Sequence, residues 1–112
     1  MASPLFDAAS AQFIELRAAC PIVPGATVSK PLVNLPEGKV IIFAMDAGQE
    51  MSDHRAPFVS TVHVIEGRVR FVVDAHEKVM GPHDWLVMPA SALHRLTAIE
   101  PTRFVLTLFK KA

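Results

Sequence analysis

Alternation with a period of two is clearest in "RVRFVV", where Arg68 and Arg70 fall on one side and Val69, Phe71 and Val73 on the other. A strand with one face toward water and one toward a core has this pattern. From Pro21 onward the chain is a succession of short runs rich in Val, Ile and Phe, each closed by Gly, Pro or Asp. The clearest are "KVIIFAMDAG", "FVSTVHVIEG", "RVRFVVDA", "DWLVMPAS" and "TRFVLTLF". Such runs predict an all-β domain of about seven strands arranged as a sandwich or barrel.

Two runs add detail. "VIIFAM" is apolar at successive positions, so both of its faces must be covered, within the chain or at a subunit contact. The run ending at Glu66 meets the one starting at Arg68 through Gly67, a junction that predicts a tight hairpin with glycine at positive φ. Ahead of the β region the period changes. In "SPLFDAASAQFIELRAAC", Leu5, Ala9, Phe13, Leu16 and Cys20 share a helical stripe, Ser3 can cap it, Pro4 suits its first turn and Pro21 stops it. A short helical or irregular N-terminal segment is therefore expected before the barrel.

Composition narrows the function classes. The chain has 112 residues, 51% of them apolar, which suits one domain with one core over residues 1–112. Acidic and basic residues number 11 each and form no dense basic cluster, which argues against nucleic acid or an anionic membrane as partner. The single cysteine, Cys20, excludes an internal disulfide framework and a thiolate cluster and points to a reducing compartment, hence to cytoplasm. The first residues lack the positive region of a secretory signal and carry Asp7 and Glu15, and no apolar run reaches spanning length. A soluble, unprocessed chain with a small-molecule partner is the expectation.

The chemistry concentrates in "GQEMSDHRAPFVSTVHVIEG" and "HDWLVMPASALH". In the first, five residues separate Gly48 from His54, one separates His54 from Ala56, three separate Ala56 from Ser60, and six separate Ser60 from Gly67. This spacing resembles the first motif of the cupins, a superfamily of small double-stranded β-helix, or jelly-roll, barrels. In that motif the positions of Ala56 and Ser60 hold a second His and a Glu. The second cupin motif is matched by His83, Pro89, Ser91 and His94, with His83 and Ser91 standing where the motif has glycines. The resemblance spans about residues 35–109 and implies an all-β cupin barrel, together with a homodimer. It is similar to small single-domain bacterial cupins of unassigned function whose first motif likewise lacks the second His.

Cupins hold their metal with three His and one Glu, a donor set suited to Fe, Mn, Ni, Zn or Cu. Carried over here, only His54 and His94 remain as ligands. Ala56 removes an imidazole and Ser60 the only carboxylate, so no metal or a weakly held one is the expectation. Counting by twos from Ser60 puts Val62 and Val64 inward and His63 outward, unless a bulge intervenes. Gln49, Glu50 and Asp53 are near enough in sequence to His54 to lend an oxygen. His76 and His83 read as exposed, while Met45 and Trp85 read as core or pocket lining beside Ala56 and Ser60. No nucleophile elbow, phosphate-cradling loop or redox cysteine pair is present, and nothing in the spacing assembles a triad from Ser60 and His94.

Three readings stay open at this stage. The first is a small-molecule-binding barrel with a pocket marked by His54 and His94. The second is a metal-dependent oxygenase or isomerase using those two His and non-standard donors. The third is a metal-free structural or regulatory dimer acting through its outer strands.

Overall fold

The structure is a computed structural model that describes residues 3–110. Nine strands follow one helical turn: α1 (Leu16–Ala19), β1 (Thr27–Asn34), β2 (Gly38–Met45), β3 (Glu50–Arg55), β4 (Val59–Glu66), β5 (Val69–Val73), β6 (His76–Met80), β7 (Trp85–Met88), β8 (Leu93–Ala98) and β9 (Thr102–Phe109). They form a five-stranded sheet in the order β1-β2-β9-β4-β7 and a four-stranded sheet in the order β3-β8-β5-β6. Every pairing is antiparallel, and the two inner faces enclose the core of a jelly-roll barrel.

Strand parity determines what enters that core. Val69, Phe71 and Val73 of β5 are buried while Arg70 between them is exposed, as the alternation requires. They meet Val62 and Val64 of β4, Phe43 and Met45 of β2, and Phe104 of β9. Phe104 stacks on Phe43 at a centroid distance of 4.9 Å and meets Phe71 edge-on at 5.8 Å. This aromatic triple spans the barrel from one sheet to the other. Full burial of each such ring contributes about 1.5–3 kcal/mol.

The doubly apolar run in β2 is covered twice within the chain. Ile41, Phe43 and Met45 face the barrel interior, whereas Ile42 and Ala44 face outward onto a second cluster containing Cys20, Leu16, Ile22, Val28 and Val105. Arg103 locks this cover down: its Nε donates to the Cys20 carbonyl at 2.9 Å, and its guanidinium pairs with Glu66.

The expected N-terminal helix shrinks to the four residues of α1. Its first half runs beside β1, where the Leu5 and Phe6 amides donate to the carbonyls of Pro31 and Leu32, on the open edge of the sheet. Those bonds replace the intrahelical ones, Ala8 adopts a φ of 63°, and Phe13 is left 89% exposed. Covering an edge strand satisfies the backbone as well as a helix would and protects the edge from foreign strands.

The expected hairpin at Gly67 is also overturned. β4 pairs with β7 and β9, and β5 with β6 and β8, so the chain crosses at Gly67 from one sheet to the other. The positive φ remains, at 89°, because a corner between sheets needs it as much as a hairpin does. Among the described residues no helix is long and apolar enough to cross a membrane.

Candidate functional site

At one end of the barrel a cavity of about 320 Å³ opens between the sheets. Its walls are the inward positions of six strands and the segment between β3 and β4: Ile41 and Phe43, Met51 and His54, Ala56, Pro57 and Phe58, Ser60, Met88, His94, and Leu106 with Leu108. Arg55 stands at its rim. Below it, a void of about 30 Å³ continues inward past Met51 and His94 and ends against Phe71 and Phe104.

His94 reaches the cavity by simple parity. It lies two residues from Leu96 on the inner face of β8, and Leu96 is part of the core. His54 reaches it by an irregularity. In the β3–β8 ladder Met51 pairs with Leu96 and His54 with His94, so three steps along β3 match two along β8. The extra residue is a bulge, and it turns both Met51 and His54 toward the same side. The two imidazoles meet edge to face, with ring centroids 5.2 Å apart and planes at 86°, close enough for one polar group to touch both.

Burial pushes the His94 imidazole below its ordinary pKa; the Ala92 carbonyl opposes this, and the charge of His54 reinforces it. His94 Nδ1 lies 3.3 Å from that carbonyl. In the tautomer that donates there, Nε2 carries the free lone pair. Ser60 is 2% exposed, and its side chain lines the cavity. The mouth is braced by two hydrogen bonds: Arg55 Nη1 donates to the Ser91 carbonyl at 2.8 Å, and the Ser91 amide donates to the Ala56 carbonyl at 2.6 Å.

The structure thus brings His54, His94, Ala56 and Ser60 together, but not Met45 or Trp85. Met45 is fully buried in the core, one inward position beyond Phe43, where the Phe43–Phe104 stack separates it from the mouth. Trp85 pairs with His63 across β4 and β7, on the outward parity of that sheet, and is 61% exposed. It borders a separate cleft of about 130 Å³ near Phe71, His76 and Lys78. His63 is exposed, as the count from Ser60 implies, and so are His76 and His83. Arg55 and Phe58 are wall residues that sequence reasoning missed, and the signal for both was adjacency to the motif positions.

Among the described residues, no group of three or more His, Cys, Asp or Glu side chains is arranged to hold a metal ion. The two motif positions occupied by His83 and Ser91 keep the backbone that glycine favours, with φ of 74° and 67°. The turn geometry of the second motif is thereby retained without its glycines.

Comparison with known proteins accords with this geometry. Residues 41–109 match the cupin domain family. A conserved protein of unknown function from Streptococcus pyogenes superposes with a TM-score of 0.85 at 24% identity, over 98% of this chain and 96% of that one. A cupin superfamily protein from Desulfitobacterium hafniense gives 0.85 at 14% identity, over 97% and 100% of the two chains. An RmlC-like cupin from Desulfovibrio desulfuricans gives 0.80 at 22% identity, over 90% and 98%. No curated protein matches significantly. With the family match covering most of the chain and the jelly roll closing around the motif residues, the chain belongs to the cupin family.

Proposed function

We propose that this protein binds a small organic molecule with a substantial apolar body in the cavity at the barrel mouth. The observation that carries this reading is the cavity itself: an apolar wall of Ile41, Phe43, Phe58, Leu106 and Leu108, with His54, His94 and Ser60 among the other lining residues. Ligand sites combine these two elements, an apolar body of surface and a few convergent polar groups. At about 320 Å³ the space is at the small end of the usual range of about 300–1,000 Å³.

The family's metal does not fit this donor set. His54 and His94 would supply two imidazoles, but Ala56 has no donor atom, and a neutral Ser60 hydroxyl is a poor substitute for a carboxylate. No reaction step is therefore assigned through a metal. A ligand-observed NMR or thermal-shift screen of small organic molecules tests the binding reading, with Ala56→Trp, which plugs the mouth, as the control. Saturable binding abolished by Ala56→Trp supports the reading. Binding unchanged in that variant would place the ligand elsewhere and refute it.

Self-association is a second reading, favoured by a specific surface. The outward positions of β4, β7 and β9 include Val59, Thr61, His63, Trp85, Val87, Thr107 and Phe109, and the charged residues at their far end, Arg103 and Glu66, pair with each other. Val59, Trp85, Val87 and Phe109 are exposed. A face whose exposed large side chains are apolar suits a two-fold contact between identical copies. Sedimentation equilibrium tests it: a dimer that Val87→Glu converts to monomer supports this reading, and a monomeric parent rejects it.

A further inference from the structure

We infer that two copies of this chain join antiparallel along the free edge of β7, so that their larger sheets run on as one. This rests on the self-association reading above and specifies the contact.

Four strands have a free edge: β1 and β7 bound the larger sheet, β3 and β6 the smaller. β1 is covered by the segment at Leu5 and Phe6, whose amides bond the Pro31 and Leu32 carbonyls. β3 is bulged and carries Glu50, Asp53 and Arg55, and β6 carries the exposed Glu77 and Lys78. Covers, bulges and charges are among the devices that keep an edge from pairing with another chain. β7 has none of these. Its residues are all apolar, it pairs evenly with β4, and both Trp85 and Val87 are exposed. Toward β6 it borders the cleft of about 130 Å³ and forms no ladder among the described residues.

Alternation identifies the free backbone groups of β7. The Val64 amide donates to the Asp84 carbonyl at 3.1 Å, so along this antiparallel ladder the bonded positions continue at Leu86 and Met88, opposite Val62 and Ser60. The N–H and C=O groups of Trp85 and Val87 therefore point to the open edge.

A second β7 satisfies those groups and a two-fold axis together. With the axis at Leu86, Trp85 of one copy lies opposite Val87 of the other. Each Trp85 amide then meets a Val87 carbonyl, and each Val87 amide a Trp85 carbonyl. The pairing is self-complementary and leaves none of these groups over. On the outer face it sets an aromatic side chain against a β-branched one, a favourable cross-strand pair. Asp84 falls opposite Met88, so no like charges meet along the strand. Because β7 is short, the mutual covering of Trp85 and Val87 adds to a small number of backbone bonds.

Amide exchange resolved by NMR tests this on the parent, at concentrations below and above the dimerisation midpoint found by sedimentation. The Trp85 and Val87 amides are expected to exchange at least about tenfold more slowly in the dimer, whereas Leu86 and Met88, already bonded to β4, change less. Val87→Pro removes a free-edge donor without breaking the β4 ladder and is expected to give a folded monomer. Val87→Ala truncates the side chain but keeps its N–H, and is expected to dimerise more weakly than the parent. Cooperative urea unfolding shows whether each variant is folded. A parent dimer in which Trp85 and Val87 exchange as fast as in the dilute monomer overturns edge pairing and leaves the self-association reading standing. So does a folded Val87→Pro that dimerises as well as Val87→Ala. If Val87→Pro does not fold, exchange in the parent decides by itself. A parent that stays monomeric overturns both.

Discussion

Replacing Gly67 with alanine tests the corner on which the barrel turns. A Cβ added there would sit 2.5 Å from Thr102 Oγ1 and 2.7 Å from Thr102 Cα, and closer still to the Pro101 carbonyl oxygen. Neither neighbour can yield easily. One is backbone, and the fully buried Thr102 is pinned by its hydroxyl, which is shared between the Arg68 and Glu100 carbonyls at 3.0 and 2.7 Å. Gly48 supplies a matched control, since its φ of 85° is nearly that of Gly67 but nothing lies within 4 Å of its Cβ position. In both variants alanine at positive φ costs about 1–2 kcal/mol, partly offset by the reduced entropy of the unfolded chain, worth about 0.4–1 kcal/mol. Gly67→Ala adds a backbone overlap of the over-packing kind, about 1–3 kcal/mol. The expectation is a loss of about 1 kcal/mol for Gly48→Ala and about 2–4 kcal/mol for Gly67→Ala, a large fraction of a domain's stability. Urea unfolding at equilibrium measures both, and near-equal m-values would show that only stability changed. If the two variants fall within about 0.5 kcal/mol of each other, the steric reasoning is wrong.

Three further outcomes are expected. His83→Gly and Ser91→Gly each relieve a side chain held at positive φ, so each should raise stability by up to about 1 kcal/mol in the same urea assay; a loss at either position would refute the strain. Because burial lowers the folded-state pKa of His94, the unfolded chain takes up that proton first as pH falls. The stability tied to neutral His94 is therefore complete above the unfolded value of about 6.5 and is lost as pH falls through the lower folded value, and His94→Gln should show a shallower acid slope than the parent. Finally, if Ala56 and Ser60 occupy ligand slots whose geometry survives, the Ala56→His, Ser60→Glu double variant should bind Ni²⁺ or Zn²⁺ at least about 100-fold more tightly than the parent by calorimetry. A folded double variant with the parent's affinity would show that the frame has drifted.

What could be read in the sequence was whatever depends on local period. Val69, Phe71 and Val73 declared their buried face by alternation, and counting from Ser60 was enough to turn His63 outward. What could not be read depends on partners remote in the chain. Gly67 has the same local requirement in a hairpin and in a corner, and only the pairing of β4 with β9 and of β5 with β8 distinguishes them. The helical stripe from Leu5 to Cys20 is real as a pattern, but the open edge of β1 competes for the same backbone groups and wins over residues 5–6. At the site, the motif spacing placed His54, His94, Ala56 and Ser60 around one cavity. Met45, read as core or pocket lining, lies in the core, because parity alone does not say how far down a strand the cavity reaches. Trp85 was misjudged because an aromatic residue beside a motif reads as lining whichever way its strand faces.

The bulge in β3 makes the side that His54 faces depend on one residue of length. Met51 and His54 are an odd number of steps apart, so an evenly paired strand would set them on opposite faces; the extra residue is what brings both to the cavity. Deleting Ser52 or Asp53 would leave two steps along β3 against two along β8, so His54 would stay opposite His94 and the imidazole pair would survive. Among close relatives, a segment one residue shorter is therefore compatible with the same mouth, whereas a segment of equal length keeps it only by keeping the bulge.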